Sequence, residues 1–305
     1  MKRRDFVKSS AAVAGVTAMA SKGLLASTDK SSEILLNKIP SSGESIPVIG
    51  MGTYRNLNIQ DDSKLPQRVE LIKQFFELGG QMLDSSPMYG QSEKVIGYCL
   101  EMLGQPKQLF ATTKVWTKGE QDGIEQMQDS MRLWGLDKFD LMQIHNLVDW
   151  QTHLKTLRKW KEKGLIKYIG ITTSHGRDHA ELAAIMQKEP LDFVQLTYNI
   201  RDREVENKLL PLAADKGIAV IVNRPFNGLF GYTKGKALPA YAKEIGCNTW
   251  AQFYLKFVIS HPAVTCAIPA TSKIKHLKDN MLAGYGALPD AKMRQEMIGL
   301  FSQYL

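Results

Sequence analysis

The strongest constraint on the fold of this sequence is a regular alternation of short apolar runs with longer amphipathic segments. The short runs are rich in β-branched and other hydrophobic residues, and turn-forming residues bound them. Such runs are typical of strands that are buried on both faces of a sheet. They fall at residues 50–53, 81–83, 109–112, 140–144, 168–171, 193–196, 219–222 and 264–268.

The segments between these runs carry apolar residues at the spacing of a helix face. In the first segment Val69, Ile72 and Phe76 are three or four residues apart, which predicts one buried helical stripe. Eight strand–helix units are compatible with a doubly wound sheet or with a closed barrel. Because the first strand is not followed by a Gly-x-Gly-x-x-Gly turn, we predict an α/β fold of the (β/α)8, or TIM, barrel type.

A β-hairpin is predicted ahead of the first barrel strand. Residues 34–39 and 46–50 are apolar runs, and the turn sequence Ser41-Ser42-Gly43-Glu44 separates them. We expect this hairpin to plug the N-terminal end of the barrel. Residues 34–305 contain no low-complexity segment and no linker-like stretch, so we predict that they form one domain.

The first 26 residues have the layout of an export signal. The basic sequence Arg3-Arg4-Asp5-Phe6-Val7-Lys8 is followed by a mildly apolar stretch and by the small-residue triplet Ala18-Met19-Ala20. That stretch is too short and too weakly apolar for a dependable membrane span. The Arg pair with the following Phe and Lys resembles the twin-arginine export motif, which implies transport by the twin-arginine translocation machinery.

This resemblance sets expectations for processing and location. We expect cleavage after Ala20 or after Ala26, a short linker over residues 27–33, and a mature protein in the periplasm without stable membrane insertion. If the signal is not cleaved, the expected location is the cytoplasmic membrane.

The net charge of the chain argues against nucleic acid as its main partner. The formal charge is +8, and residues 1–8 contain four basic residues and one acid, so the leader supplies +3 of it. The remaining excess is spread over a whole domain without basic runs or interleaved aromatics. The three cysteines, Cys99, Cys247 and Cys266, lack the spacing of metal ligands.

Four titratable residues follow consecutive predicted strands. Asp84 ends the second strand, Lys114 the third and His145 the fourth, and Tyr89 lies in the loop after Asp84. Each residue taken alone has a structural explanation, such as a helix cap or a core aromatic. Because function in barrels of this type is located at the C-terminal ends of the strands, we expect the four side chains to converge at one site.

This set of side chains is suited to donating a proton to a carbonyl oxygen. Tyrosine is a weak acid, and a nearby cation such as Lys114 favours its phenolate and lowers its pKa. Asp84 can keep a buried Lys114 charged, and a neutral His145 can orient the carbonyl by a hydrogen bond. Because a carbonyl that receives a proton on oxygen also needs a hydride on carbon, the set predicts a nicotinamide cofactor.

Three sequence motifs carry a family resemblance. LDSSPMYG at 83–90, TKVW at 113–116 and DLMQIHN at 140–146 resemble the Asp, Tyr, Lys and His motifs of the aldo-keto reductase family. The similarity extends from the hairpin to the last barrel helix. It implies NAD(P)H-dependent reduction of a small aldehyde or ketone, with Tyr89 as general acid, Lys114 and Asp84 tuning it, and His145 orienting the substrate.

The resemblance also implies cofactor-binding positions around the nicotinamide. The family usually has Ser-Asn where this chain has Thr172 and Thr173, and usually has Tyr-Ser-Pro-Leu where this chain has Asn223 to Phe226. Asn223 cannot stack on the nicotinamide as that tyrosine does. The implied positions are Gly52, Thr53, Thr172, Thr173, Gln195, Asn223, Arg224, Pro225 and Phe226.

The last motif of the chain resembles the family's adenosine 2′-phosphate site. The usual Lys after Ile-Pro is Ala270 and the usual Arg is His276, and loss of a guanidinium weakens phosphate recognition. The resemblance therefore implies that the protein prefers NADP(H) over NAD(H) only modestly. The residues implied are Thr271, Ser272, Lys273, His276, Asp279 and Asn280.

Three further residues are expected to wall the substrate pocket, namely Tyr54, Met88 and Trp116. We expect the protein to be a monomer.

A nucleotide-binding sensor with little turnover remains an alternative function, because Asn223 and His276 depart from the family pattern. A metal-dependent barrel hydrolase is rejected, since only His145 among the histidines ends a strand, and such a site needs clustered ligands.

Overall fold

The computed structural model describes residues 33–305. The predicted signal and cleavage region at 1–26 lies outside these residues, as does the predicted linker at 27–33 except for Glu33. The strands are β1 Leu36–Lys38, β2 Ser45–Pro47, β3 Met51–Gly52, β4 Met82–Asp84, β5 Phe110–Val115, β6 Phe139–Ile144, β7 Ile166–Thr172, β8 Phe193–Thr197, β9 Ala219–Asn223 and β10 Cys266–Ala267. The helices are α1 Leu65–Glu77, α2 Ser92–Met102, α3 Glu120–Trp134, α4 Trp150–Glu162, α5 His179–Lys188, α6 Leu209–Lys216, α7 Trp250–Ile259, α8 Ile274–Leu282 and α9 Ala291–Ser302.

Strands β3 to β10 form a barrel of parallel strands in sequence order. Bridges from Ile49 to Ala267 and from Gly52 to Ala270 join its two edges. At the second bridge Gly52 is required by close approach, because a Cβ atom there would lie 2.8 Å from the Ile268 carbonyl oxygen. The predicted (β/α)8 barrel is confirmed, and each barrel strand is followed by one of α1 to α8.

The hairpin of β1 and β2 closes the N-terminal end of the barrel. Ile39 and Ile46 are fully buried in the cluster of inward-facing side chains that includes Phe110 and Phe193 near the strand starts. The Tyr168 hydroxyl donates to Glu44 Oε2 at 2.6 Å, which fixes the hairpin turn against the barrel. Burial of these apolar side chains at the barrel floor leaves the opposite end, where the strands terminate, for polar groups.

Helix α9 is an addition that the strand–helix alternation does not predict. Asp290 caps it by accepting a hydrogen bond from the Met293 amide at 2.8 Å, and Phe301 is buried on its inner face. Arg294 on the same helix donates to the Tyr198 hydroxyl at 2.7 Å, which connects α9 to the segment after β8. None of the helices within residues 33–305 is long and apolar enough to cross a membrane.

Candidate active site

A buried ion pair lies at the C-terminal ends of β4 and β5. Lys114 is fully buried, and its Nζ donates to Asp84 Oδ1 at 2.6 Å. The other carboxylate oxygen, Oδ2, accepts hydrogen bonds from the side-chain amides of Gln143 and Gln195, each at 3.0 Å. An ion pair in a dry interior is maintained when such hydrogen bonds satisfy its remaining lone pairs. The Asp84 carboxylate is therefore held in one position by groups from three other strands, β5, β6 and β8.

Tyr89 stands over this pair. It ends the short 3-10 helix Pro87–Tyr89, whose first turn is capped by Ser86 Oγ accepting from the Met88 amide. Lys114 Nζ lies 5.3 Å from the centroid of the Tyr89 ring. The ammonium and the phenol are thus close enough for a strong electrostatic interaction in a buried site.

The pKa values of these two groups differ in part from the sequence argument. Burial raises the pKa of Tyr89, and the nearby Lys114 ammonium opposes this without reversing it. Burial alone would lower the pKa of Lys114, but the Asp84 carboxylate, with smaller effects from Tyr89 and Glu93, outweighs it and the pKa is raised. Tyr89 is consequently protonated at neutral pH, and Lys114 is positively charged beside it.

His145 completes the set at the end of β6. It is 6% exposed, and its Nδ1 lies 2.9 Å from Ser86 Oγ. Burial, and then the positive charge of Lys114, lowers the pKa of His145 to about 3. Its ring centroid lies 5.8 Å from that of Tyr89. The structure therefore brings together all four residues predicted to be catalytic, with the imidazole neutral as the sequence argument requires.

These side chains border a cavity of about 370 Å³ at the mouth of the barrel. Lys114 and Thr53 lie beneath its surface, and Thr53 Oγ1 donates to the Asp84 carbonyl at 2.9 Å. Trp116 lies outside the lining at the rim. The predicted residues that do line the cavity are Gly52, Tyr54, Asp84, Met88, Tyr89, His145, Thr172, Thr173, Gln195, Asn223, Arg224, Pro225 and Phe226.

The three residues predicted to wall the substrate pocket lie around Tyr89 and His145. Tyr54, Met88 and Trp116 are each about two-fifths exposed, at 43%, 39% and 41%. The Tyr54 ring lies 5.1 Å from the Tyr89 ring, and the Trp116 ring lies 6.4 Å from the His145 imidazole, between centroids. These large apolar side chains border the entrance to the polar floor.

The residues predicted to bind the nicotinamide form hydrogen bonds with one another and with neighbouring residues of the strand ends. Asn223 Nδ2 donates to the Thr173 carbonyl at 2.9 Å, and its Oδ1 accepts from Thr197 Oγ1 at 2.6 Å. Thr172 Oγ1 accepts from the Asn146 amide, while the Gln195 amide is directed to Asp84. These contacts organise the strand ends, and the cofactor roles implied for the residues stay predictions.

The predicted phosphate residues lie away from the cavity lining, around the start of α8. Ser272, Lys273 and His276 are exposed there, and Thr271 Oγ1 accepts from the Lys273 amide at 3.1 Å. Asn280 is buried. The Asp279 carboxylate accepts from Thr249 Oγ1 and Gln252 Nε2 at 2.9 and 2.7 Å, so it connects α8 to the start of α7.

Sequence reasoning missed several residues of this site. Gln143 could have been found from the strand period, because it lies two positions before His145 and shares its inward face. Arg177, in the loop after β7, lines the cavity and carries no motif. His175 lines it as well, and its place near the end of a predicted strand is the sequence signal for it. Ser86 contacts His145 across 59 positions, a contact that only the folded barrel brings about.

The two arginines at the cavity contact neutral oxygens. Arg177 Nε donates to the Ser174 carbonyl at 3.3 Å, and an Arg224 Nη donates to the Asn227 amide oxygen at 2.6 Å. Within residues 33–305, the buried Arg224 Nε has no hydrogen-bond partner. This side of the cavity is therefore positively charged and has an N–H donor, Arg224 Nε, without an acceptor.

Among residues 33–305, no group of three His, Cys, Asp or Glu is arranged to hold a metal ion.

A closed barrel with a protonated tyrosine, a buried ion pair and a neutral histidine at its strand ends is the arrangement of a barrel oxidoreductase that acts on carbonyl or alcohol groups. The sequence model of the Aldo/keto reductase family matches residues 48–295, and the chain belongs to this family. The predicted family membership is thereby confirmed.

Individual relatives agree with this assignment. Methylglyoxal reductase YeaE of Escherichia coli (strain K12) is 28% identical over 252 residues, covering 79% of this chain and 87% of that protein. An aldo/keto reductase from Klebsiella pneumoniae in complex with NADP and acetate is 21% identical, with a TM-score of 0.73 over 85% of this chain and 93% of its own. A thermostable aldo-keto reductase in complex with epalrestat is 26% identical, with a TM-score of 0.72 over 89% of this chain and 100% of its own.

Proposed function

We propose that this chain is an exported reductase that uses NADP(H), with NAD(H) as a weaker cofactor, to reduce a small aldehyde or ketone. The observation that carries the proposal is the arrangement of protonated Tyr89 and neutral His145 on one cavity, above the buried Lys114–Asp84 pair. Complexes of the structural relatives with NADP support the choice of cofactor.

The residues of the cavity fit a nicotinamide nucleotide. The unpartnered Nε of Arg224 and the guanidinium of Arg177 are suited to an anionic ligand. Gln195 and Asn223 also place side-chain amides in the lining, and an amide can exchange hydrogen bonds with a polar heterocycle. When bound, the cofactor supplies a hydride to the carbonyl carbon.

Each catalytic side chain has a defined task in this proposal. Tyr89 donates its phenolic proton to the carbonyl oxygen as negative charge develops there. Lys114 stabilises the resulting phenolate, and Asp84 keeps Lys114 charged and in place. His145, neutral across the physiological range, orients the carbonyl oxygen by a hydrogen bond.

A direct assay tests this function. The full chain is purified and mixed with NADPH or NADH and a panel of aldehydes and ketones, while absorbance of the reduced cofactor is recorded. The panel includes methylglyoxal, because the Escherichia coli relative is named for it. We expect turnover with NADPH to exceed turnover with NADH. Nucleotide binding without turnover of any compound would favour the sensor alternative.

Export is a separate part of the proposal and rests on the residues 3–8 motif alone. Replacement of Arg3 and Arg4 by Lys keeps the charge but removes the arginine pair. We expect the parent chain in the periplasmic fraction and this variant in the cytoplasm. Periplasmic accumulation of the variant would refute the twin-arginine assignment. Nucleotide released by denaturing the exported parent would identify the cofactor that it carries.

A further inference from the structure

The side chain of Ser86 connects His145 to the turn that carries Tyr89, the two residues proposed to face the substrate carbonyl. Ser86 is fully buried between the end of β4 and the 3-10 helix that carries Tyr89. Its Oγ lies 2.9 Å from Nδ1 of His145 and 3.2 Å from the amide nitrogen of Met88. Its own carbonyl accepts from the Tyr89 amide at 2.9 Å.

Hydrogen accounting assigns the direction of the Ser86–His145 bond. The Met88 amide is a donor, so Oγ accepts there, and the hydroxyl has one hydrogen left to give. Within residues 33–305, Nδ1 of His145 is the one acceptor in reach of that hydrogen. If Nδ1 carried a proton instead, a buried hydroxyl hydrogen would lack an acceptor, at a cost of about 1–3 kcal/mol.

We infer that Ser86 is a positioning residue that fixes His145 in the tautomer with its proton on Nε2, the ring nitrogen available to a ligand in the cavity. In that tautomer His145 can donate a hydrogen bond to a carbonyl oxygen and cannot accept a proton from it through Nε2. The same hydroxyl caps the turn that carries Tyr89, so one side chain orients both the proton donor and the carbonyl-orienting group. This inference rests on the proposed function for its catalytic consequence, but its structural content does not.

The tautomer can be measured without any turnover. Two-bond proton–nitrogen correlations of the imidazole rings of the ¹⁵N-labelled full chain distinguish a protonated Nε2 from a protonated Nδ1, and the His145→Gln variant identifies the His145 signals. We expect the Nε2-protonated pattern in the parent at pH 7. An Nδ1-protonated pattern would overturn the inference, even if the enzyme proved active.

Matched serine variants test the kinetic consequence. Ser86→Ala should lower kcat about tenfold, the size expected for a lost buried hydrogen bond, and should give tautomer exchange in the His145 signals. NADPH affinity should change less than twofold. Ser86→Thr keeps a hydroxyl and should recover most of the lost kcat and the single tautomer.

Ser85→Ala is the control for burial and backbone effects. Ser85 is equally buried, and its Oγ has no hydrogen-bond partner in the described part of the chain, while its main chain is unchanged by the substitution. We expect the control to retain the parent kcat and His145 pattern. Equal kcat values for Ser86→Ala and Ser85→Ala, with both variants binding NADPH, would overturn the inference. A parent that shows the expected tautomer but no turnover would instead refute the proposed function.

Discussion

The two sides of the cavity are built on different principles. On the catalytic side, strands β4 and β5 supply charges that neutralise one another, namely Asp84 and Lys114, which pair at 2.6 Å. On the opposite side, the loops after β7 and β9 supply Arg177 and Arg224, whose guanidinium groups contact neutral oxygens. The charges of the catalytic side are neutralised within the protein, whereas neither guanidinium of the other side pairs with a carboxylate in the described residues.

This difference explains where the sequence conforms to its family and where it departs. A buried ion pair tolerates no loss of either partner, because an isolated buried charge is costly. The family's Asp and Lys are therefore retained together, at Asp84 and Lys114. Binding of a large cofactor is distributed over many contacts, so the changes at Asn223 and His276 can be offset elsewhere.

The largest effect is expected from a substitution that removes the chemistry of the catalytic side and leaves NADPH binding unchanged. Tyr89→Phe removes the proton donor and leaves the ring in place. We expect kcat to fall by about 10²- to 10⁴-fold, the usual contribution of general acid catalysis. NADPH affinity, measured by titration of the binding signal, should stay within twofold of the parent. Parent-like turnover by this variant would show that the catalytic assignment is wrong.

The second prediction concerns stability on the catalytic side. Lys114→Met leaves the Asp84 carboxylate buried without its cation, and we expect the free energy of unfolding to fall by about 3–5 kcal/mol. Urea unfolding of both proteins measures this loss. Lys159→Met is the control, because Lys159 pairs with Glu120 on the exposed surface, where such pairs contribute about 0–1 kcal/mol. Equal losses in the two variants would contradict the buried-pair argument.

The sequence predicted the catalytic side better than the opposite side for a physical reason. Strand ends are marked by the apolar runs that precede them, so the convergence of Asp84, Lys114 and His145 follows from topology alone. The side-chain directions on the other side depend on contacts made by the loops. Arg224 illustrates this, because its guanidinium donates to the side-chain oxygen of Asn227 in the same loop after β9, a partner that no pattern indicates.

Electrostatic signs were predictable but their balance was not. From the sequence we expect Lys114 to lower the pKa of Tyr89, yet burial has the larger effect and the pKa is raised. The extent of burial depends on how closely Tyr54 and His145 pack around the phenol. That packing is set by the loop after β3 and by the Ser86 turn, and neither has a periodic sequence signal.

The third prediction uses the depressed pKa of His145. In the unfolded chain this group has an ordinary pKa of 6.5, whereas in the folded chain the value is about 3. Between these values the unfolded state binds more protons, so stability is fully present above pH 6.5 and is lost as the pH falls toward 3. We expect about 2 kcal/mol less stability at pH 5 than at pH 7 from this group.

Unfolding of the parent and of His145→Gln at the two pH values isolates this contribution. The variant should lose about 2 kcal/mol less than the parent does on acidification. His175→Gln provides a comparison from the other side of the cavity, because His175 is exposed and its removal should alter the pH dependence less. If the two variants matched, the neutral state of His145 would not be enforced by burial.

The smallest effect is expected from substitutions that test where the 2′-phosphate of NADPH binds. His276 is exposed on α8, close in sequence to Ser272 and Lys273. An arginine there presents a planar fork that can bind a phosphate through two hydrogen bonds, whereas lysine presents a point charge. We expect His276→Arg to raise the ratio of NADPH to NADH affinity about fivefold, and His276→Lys to raise it less. Tyr89 and His145 line the cavity and His276 does not, so kcat at saturating cofactor should not change in either variant. An unchanged affinity ratio in His276→Arg would place the 2′-phosphate away from α8, because added positive charge at a true phosphate subsite must favour the more negative nucleotide.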